Sequence, residues 1–319
     1  MVRSTTTTET TELPEKATSR ERSPARLSTG MTCDTAFRII ARRHLEAVIA
    51  QRERTCSGDP DALHQTRIAL TRLRTAILFF SPMVDDAVRP EVWADLKWLH
   101  SQFGMVRDLD VAIERIATAN GDQLASIPRL RSWNEKRSEN HSLLAAALQS
   151  PRYERLIERT SIWIESGPWS TKRGKEAIRL RGSSLAEHAT HQLAQWERTL
   201  LKKSRKLDGL GVKKRHRLRL LNKRLTYAIE SLDDLFTDKS LAKQKATLKQ
   251  LRKAQRSLGK LNDNTNGRAL AESLNRAGTK ASFQSINRKR EKRLLQTAAA
   301  AYRKLDKSKP FCASNLASG

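Results

Sequence analysis

The stretch His64-Gln65-Thr66-Arg67-Ile68-Ala69-Leu70-Thr71-Arg72-Leu73-Arg74 is echoed by His216-Arg217-Leu218-Arg219-Leu220-Leu221-Asn222-Lys223-Arg224-Leu225-Thr226-Tyr227. Each opens on His and carries Arg three and eight residues later. At roughly 100° per residue, His64, Arg67, Thr71, Arg72 and Arg74 share one arc of a helix. Leu63, Ala69, Leu70, Leu73, Ile77 and Phe80 share the other. In the second copy His216, Arg219, Lys223, Arg224 and Tyr227 are polar-side, and Leu218, Leu221, Leu225, Ile229 and Leu232 apolar-side. One aliphatic residue, Ile68 or Leu220, interrupts each basic arc at the same offset. A helix of this kind packs one side into a core and displays a cationic strip on the other. A lone Arg-rich face is as often plain solvated surface. Two copies with matching arcs point instead to paired strips that face each other and bind a polyanion.

Working outward, the echo continues. His64 to His216 is 216 − 64 = 152 residues, while Gly104 to Gly259 and Asp108 to Asp263 are each 155. Leu96-Lys97-Trp98-Leu99 precedes Phe103-Gly104 and Arg107-Asp108, as Leu248-Lys249-Gln250-Leu251 precedes Leu258-Gly259 and Asn262-Asp263. A period kept over two halves is the mark of an internal duplication. Helical spacing also runs from Cys33 to about Cys56, and Asp59 with Pro60 reads as N-cap and first helical residue of the first motif helix. The glycines at 104 and 259 read as helix ends, with Asp108 and Asp263 capping the helices that follow. Further helices are predicted from Pro128 to Gln149, from Pro151 to Glu165, from Ile178 to Leu207 and from Phe283 to Leu305. Strand alternation is missing. The predicted fold is all-α: two tandem repeated helical bundles, at 31–168 and 175–308, enclosing a basic cleft. A Ser/Thr-rich tail at 1–30 and a short tail at 309–319 flank them, and the Gly167-Pro168 to Gly174 region links them.

Composition narrows the partner. Sixty-one Lys and Arg against 34 Asp and Glu leave a net charge of +27 over 319 residues, an excess that calls for a polyanion. Cys33, Cys56 and Cys312 lie far apart, without zinc-ligand spacing, which fits a reducing compartment. No apolar run suits a membrane span or a signal peptide, so a cytoplasmic location is expected. Neither a phosphate-gripping GxxxxGK[ST] loop nor a nucleophile elbow occurs, and no cofactor, metal site or enzymatic activity is expected. Nucleic acid is the rival ligand, but single-strand binders interleave aromatics with their cations. Aromatics here are 5% of the chain, and only Tyr227 stands on a motif's basic arc.

The duplicated His-x-x-Arg with Arg at the eighth offset, followed by Leu-x-x-Leu and by Leu/Phe-Gly-x-x-Arg/Asn-Asp, resembles the CHAD domain, the conserved histidine α-helical domain. The resemblance spans about Cys33 to Lys307. It implies two helical repeats around a basic channel that binds inorganic polyphosphate, with the protein associated with polyphosphate granules. The alternative is an accessory module of a phosphate-transfer or phosphohydrolase enzyme. The implied contacts are His64, Arg67, Arg72 and Arg74 from the first repeat, and His216, Arg219, Lys223, Arg224 and Tyr227 from the second. Thr71 and Thr226 stand where the family usually has cations, one in each repeat. Lys97 and Lys249, Arg38 and Arg42 on the first helix, and Lys292 in the basic run before the C-terminus are candidate extensions of the track. A polyphosphate has charge and no bases, so a rigid array of guanidinium forks suits it, with His as a donor that gains charge beside phosphate.

Overall fold

The computed structural model describes residues 25–120, 128–236, 238–276 and 285–308, and among these the secondary structure is helical apart from one isolated bridge, Thr32 with Ser184. Helix α1 (Cys33–Ala50) is capped by the Thr32 hydroxyl, which accepts from the Thr35 amide. A short α2 (Arg52–Cys56) follows, so the helix expected across 33–56 is divided at Gln51. The Asp59 carboxylate caps α3 (Pro60–Phe79), and Pro60 fills the first helical position, where a missing N–H is harmless. Next come α4 (Arg89–Asn120), α5 (Pro128–Leu148), α6 (Pro151–Ser166), α7 (Pro168–Thr171) and α8 (Lys175–Gly182). The chain then forms α9 (Leu185–Ser204), α10 (Val212–Ser231), α11 (Asp238–Arg276) and α12 (Arg288–Lys307). The helix expected over 178–207 is thus two, parted at Ser183-Ser184.

The largest departure from the sequence reading is that Gly104 and Gly259 end nothing. Helices α4 and α11 run straight through them, and Asp108 and Asp263 lie in helix interiors. A glycine inside a helix costs about 1 kcal/mol. The buried neighbours Phe103 and Val106, and likewise Leu258 and Leu261, each contribute about 1.5–3 kcal/mol by staying in register with the core. Burial outweighs propensity.

One large apolar core takes residues from α1 through α12, so it is continuous across the 168–175 joint. Its burial pattern repeats. On α3, Thr66, Leu70, Leu73, Ala76, Ile77 and, just beyond its end, Phe80 are buried. So are Leu218, Asn222, Leu225, Ala228, Ile229 and Leu232, each 152 residues on. On α4, Val92, Leu96, Leu99, Phe103 and Val106 are buried, as are Thr247, Leu251, Ala254, Leu258 and Leu261 of α11, each 155 residues on. A smaller core of Leu109, Ala112, Trp133 and Ala271 lies apart from the first.

Order begins before residue 30, where the tail was expected to end. Leu27 is buried and its amide donates to Asp234 Oδ2 at 3.2 Å, and Arg43 donates to the Ala25 carbonyl. The rest of that tail, the 309–319 tail, Cys312 and the expected start at Phe283 lie outside the described residues. Among those described, no helix is long and apolar enough to cross a membrane.

Candidate functional site

Helices α3 and α10 pack against each other, α4 lies against α3, and α11 lies against α10. Between α3 and α10 the interacting pairs include Arg67 with Arg219, Arg67 with Lys223, Arg74 with Lys223 and with Arg224, and Arg72 with Tyr227. Their sequence separations, from 149 to 156, bracket the motif offset of 152. The basic arcs of the two helices therefore approach each other. Their apolar arcs are buried, which leaves the basic arcs to converge on one cluster.

The cluster is crowded with like charge and starved of counter-charge. Burial, and after it the Arg219, Arg67 and Arg74 guanidinium groups, push Lys223 down to about 7. Arg67 is also lowered, by burial first and then by Arg107 and Arg219, against a partial opposing pull from Asp108. Burial and Arg224 lower Arg74, and burial lowers Arg224. His64 falls below its ordinary value through burial, then through Arg107, Lys223 and Arg67. Four buried guanidinium nitrogens, Arg67 Nη1, Arg72 Nε, Arg74 Nε and Arg219 Nε, have no hydrogen-bond acceptor within the described protein. Buried donors are ordinarily paired, and a charged donor left unpaired is among the costlier defects a fold can keep. Four such nitrogens stand on α3 and α10. Aromatic faces carry part of the load: Arg74 lies 4.6 Å from the Trp93 ring, and Arg72 and Lys223 each lie 5.3 Å from the Tyr227 ring.

Two contributors, Trp93 and His100, were missed in the sequence, while Arg107 reads there equally as a phosphate contact or as the partner of its neighbouring Asp108. Trp93, His100 and Arg107 stand seven residues apart and so form one stripe along α4. The Trp93 ring takes Arg74 over its face, His100 lies in the field of Arg67, Arg74 and Lys223, and the charge of Arg107 acts on His64 and Arg67. Burial, followed by those three cations, holds His100 down at about 3, so it is neutral in the free protein. The heptad spacing was there to be read once α4 was known to pass through Gly104. On α11 the positions 155 residues on are Leu248, Gln255 and Asn262, and His216 Nδ1 lies 2.7 Å from Asn262 Oδ1.

Other candidates fall elsewhere. Arg38 bonds to Asp34 and to the Glu165 carbonyl, and Arg42 makes a two-pronged pair with the Glu165 carboxylate at 2.8 and 2.6 Å. These contacts tie α1 to α6. Lys97 and Lys249 are exposed, on α4 and α11. They are also not equivalent: in the shared register of those helices, Lys97 aligns with Arg252 and Lys249 with Ala94. Lys292 is exposed on α12, one residue after Glu291, which pairs with Arg215. Thr226 is buried and donates to the Asn222 carbonyl, so the repeat-two position matching Arg74 has turned into the core. Thr71 donates to the Arg67 carbonyl. Asp108, read as a cap, instead accepts from Asn266 at 3.2 Å and faces Arg67. Among the described residues no three His, Cys, Asp or Glu side chains gather as a metal site.

A model of the CHAD domain family matches residues 39–272, more than half of the chain. No curated protein matches it. Among solved structures, the crystal structure of the CHAD domain from the plant Ricinus communis is similar at a TM-score of 0.69 and 24% identity, over 93% of this chain and 99% of that one. PptA from Streptomyces chartreusis is similar at a TM-score of 0.55 and 17% identity, over 87% of this chain and 95% of that one. At those identities the two likenesses attest to the fold alone.

Proposed function

The chain belongs to the CHAD family, and from that premise we propose that it binds inorganic polyphosphate in a single cleft shared by two duplicated halves. The observation that carries the reading is the set of four buried, acceptorless guanidinium nitrogens on α3 and α10. Phosphate oxygens are the acceptors that planar guanidinium forks hold best. The recurrence of buried positions at offsets of 152 and 155 supports the duplication, and the approach of the α3 and α10 basic arcs supports one continuous cleft. His64, Arg67, Arg72, Arg74, Arg219, Lys223 and Arg224 are the proposed phosphate contacts, and Tyr227 braces Arg72 and Lys223 from below. His216, Arg107 and His100 extend the cleft on its flanks.

We read the protein as a binder rather than an enzyme. The cleft gathers cations, and the carboxylates near it, Asp108 and Glu230, are engaged by Asn266 and by arginines. The rings of Trp93 and Tyr227 already have Arg74, Arg72 and Lys223 over them, which leaves less aromatic face for the base stacking that single-stranded nucleic acid uses. The test is a competition of long-chain polyphosphate against single- and double-stranded DNA at two salt concentrations. Polyphosphate should win at both, and orthophosphate should not compete. Preferential binding of either nucleic acid would overturn the reading, and release of free phosphate on adding magnesium would overturn the binder assignment.

A further inference from the structure

One carboxylate lies inside this cationic field and belongs to neither motif. Glu230, in the last turn of α10, accepts from Arg72 Nη2 at 2.8 Å and from Arg252 Nη2 at 2.8 Å. Its side chain is 17% exposed, against 35% for Arg72 and 55% for Arg252. It therefore bridges an arginine of α3 to one of α11, as a single phosphate of a bound chain would. The bridge closes one end of the cluster, where His44 Nε2 also meets Ser231 Oγ at 3.1 Å. Nothing equivalent stands in the first half, because the residue 152 positions earlier is Leu78.

Resting on the polyphosphate reading above, we infer that Glu230 is a built-in competitor: it occupies Arg72 and Arg252 until a chain long enough to reach them displaces it. A short polyanion at the core of the cluster, Arg67, Arg219 and Lys223, need not displace Glu230, whose bonds go to Arg72 and Arg252. Arg72 and Arg252 open only when Glu230 swings out, and the Arg72 Nε that now lacks an acceptor then gains one. A short anion held at the core has no reach to drive that exchange. Glu230 thus sets selectivity for chain length rather than overall affinity.

The test compares wild type with Glu230→Gln, which keeps the shape and removes the charge. Freed of two part-exposed ion pairs, the variant should bind long-chain polyphosphate about tenfold more tightly. Tripolyphosphate affinity should change less than about twofold. Melting temperature and circular dichroism confirm folding, and Glu230→Leu carries the same test if the Gln variant melts early. An equal gain for both ligands, or no gain for the long chain, overturns the inference. Elution from a heparin column separates it from the ligand assignment. If wild type ignores polyphosphate yet the variant elutes at higher salt, the competitor role stands and the polyphosphate reading falls. Unchanged elution together with unchanged polyphosphate affinity overturns the role itself.

Discussion

Replacing Lys223 by Met should stabilise the free protein and weaken its ligand binding. In the native state the ammonium is held at about 7 instead of its ordinary 10.5 by burial and by Arg219, Arg67 and Arg74. At ~1.36 kcal/mol per pH unit, that fall corresponds to about 5 kcal/mol of cost to the native state whenever the lysine is charged in both states. The sign follows from proton counts. Below pH 7 native and unfolded chains both carry the proton and the cost is full. Between pH 7 and about 10.5 the unfolded chain carries it and the native one does not, so wild-type stability rises with pH. Met keeps the stem and carries no charge, so the variant should be more stable by about 3–5 kcal/mol at pH 6, raising the melting temperature by roughly 5 °C or more. The gap should close by about pH 10. Polyphosphate affinity should fall at least tenfold through loss of a charge-assisted contact worth roughly 1.5–3 kcal/mol. Thermal melts in low salt at pH 6 and pH 9.5, with and without polyphosphate, measure both effects. A destabilised variant at pH 6, or a gap of the same size at both pH values, would refute the crowded-cation account.

Ligand binding should take up protons, because phosphate favours the charged forms of Lys223, His64 and His100, all held low in the free protein. Calorimetry at pH 7.5 in two buffers of different ionisation enthalpy should detect this, and zero uptake would count against it. Arg67→Ala and Arg219→Ala should each weaken long-chain binding by about tenfold or more, with calorimetric stoichiometry staying at one chain per cleft. Two independent sites would sink the shared-cleft reading. Gly167→Ala should lower stability by about 1–3 kcal/mol in urea unfolding. The new Cβ would sit 2.5 Å from the Trp163 carbonyl oxygen and 2.7 and 2.8 Å from the Trp163 and Trp169 rings. Stability within error of wild type would show that the two rings give way freely.

The sequence disclosed the residues whose role depends on their own helix. The arcs of α3 and α10, and the Asp59-Pro60 start, follow from periodicity and capping chemistry, both local. Misreading Gly104 as a stop hid the Trp93, His100 and Arg107 stripe, because a broken helix has no heptad. Propensity was weighed there without the burial that overrides it. Arg38 and Arg42 look like track residues in the sequence, and Glu165, more than 120 positions away, is what claims them. Glu230 was invisible for the same reason: its importance lies in where α3 and α11 deliver Arg72 and Arg252, which no local pattern encodes.

The stitching of the chain's first described residues has a consequence for its synthesis. The Cys33 amide donates to the Ser183 carbonyl at 3.0 Å, the Leu185 amide to the Met31 carbonyl at 2.8 Å, and the Leu27 amide to Asp234. The partners of this leading segment are therefore made 150 to 207 residues after it. At roughly 5–20 residues per second, a ribosome needs on the order of 10–40 s to supply them. For that interval the head of α1 emerges with Leu27 and Cys33 unburied and its cross-chain bonds unmade. The nascent chain thus cannot close this seam until the second motif helix and Asp234 have emerged, with only α11 and α12 still to follow.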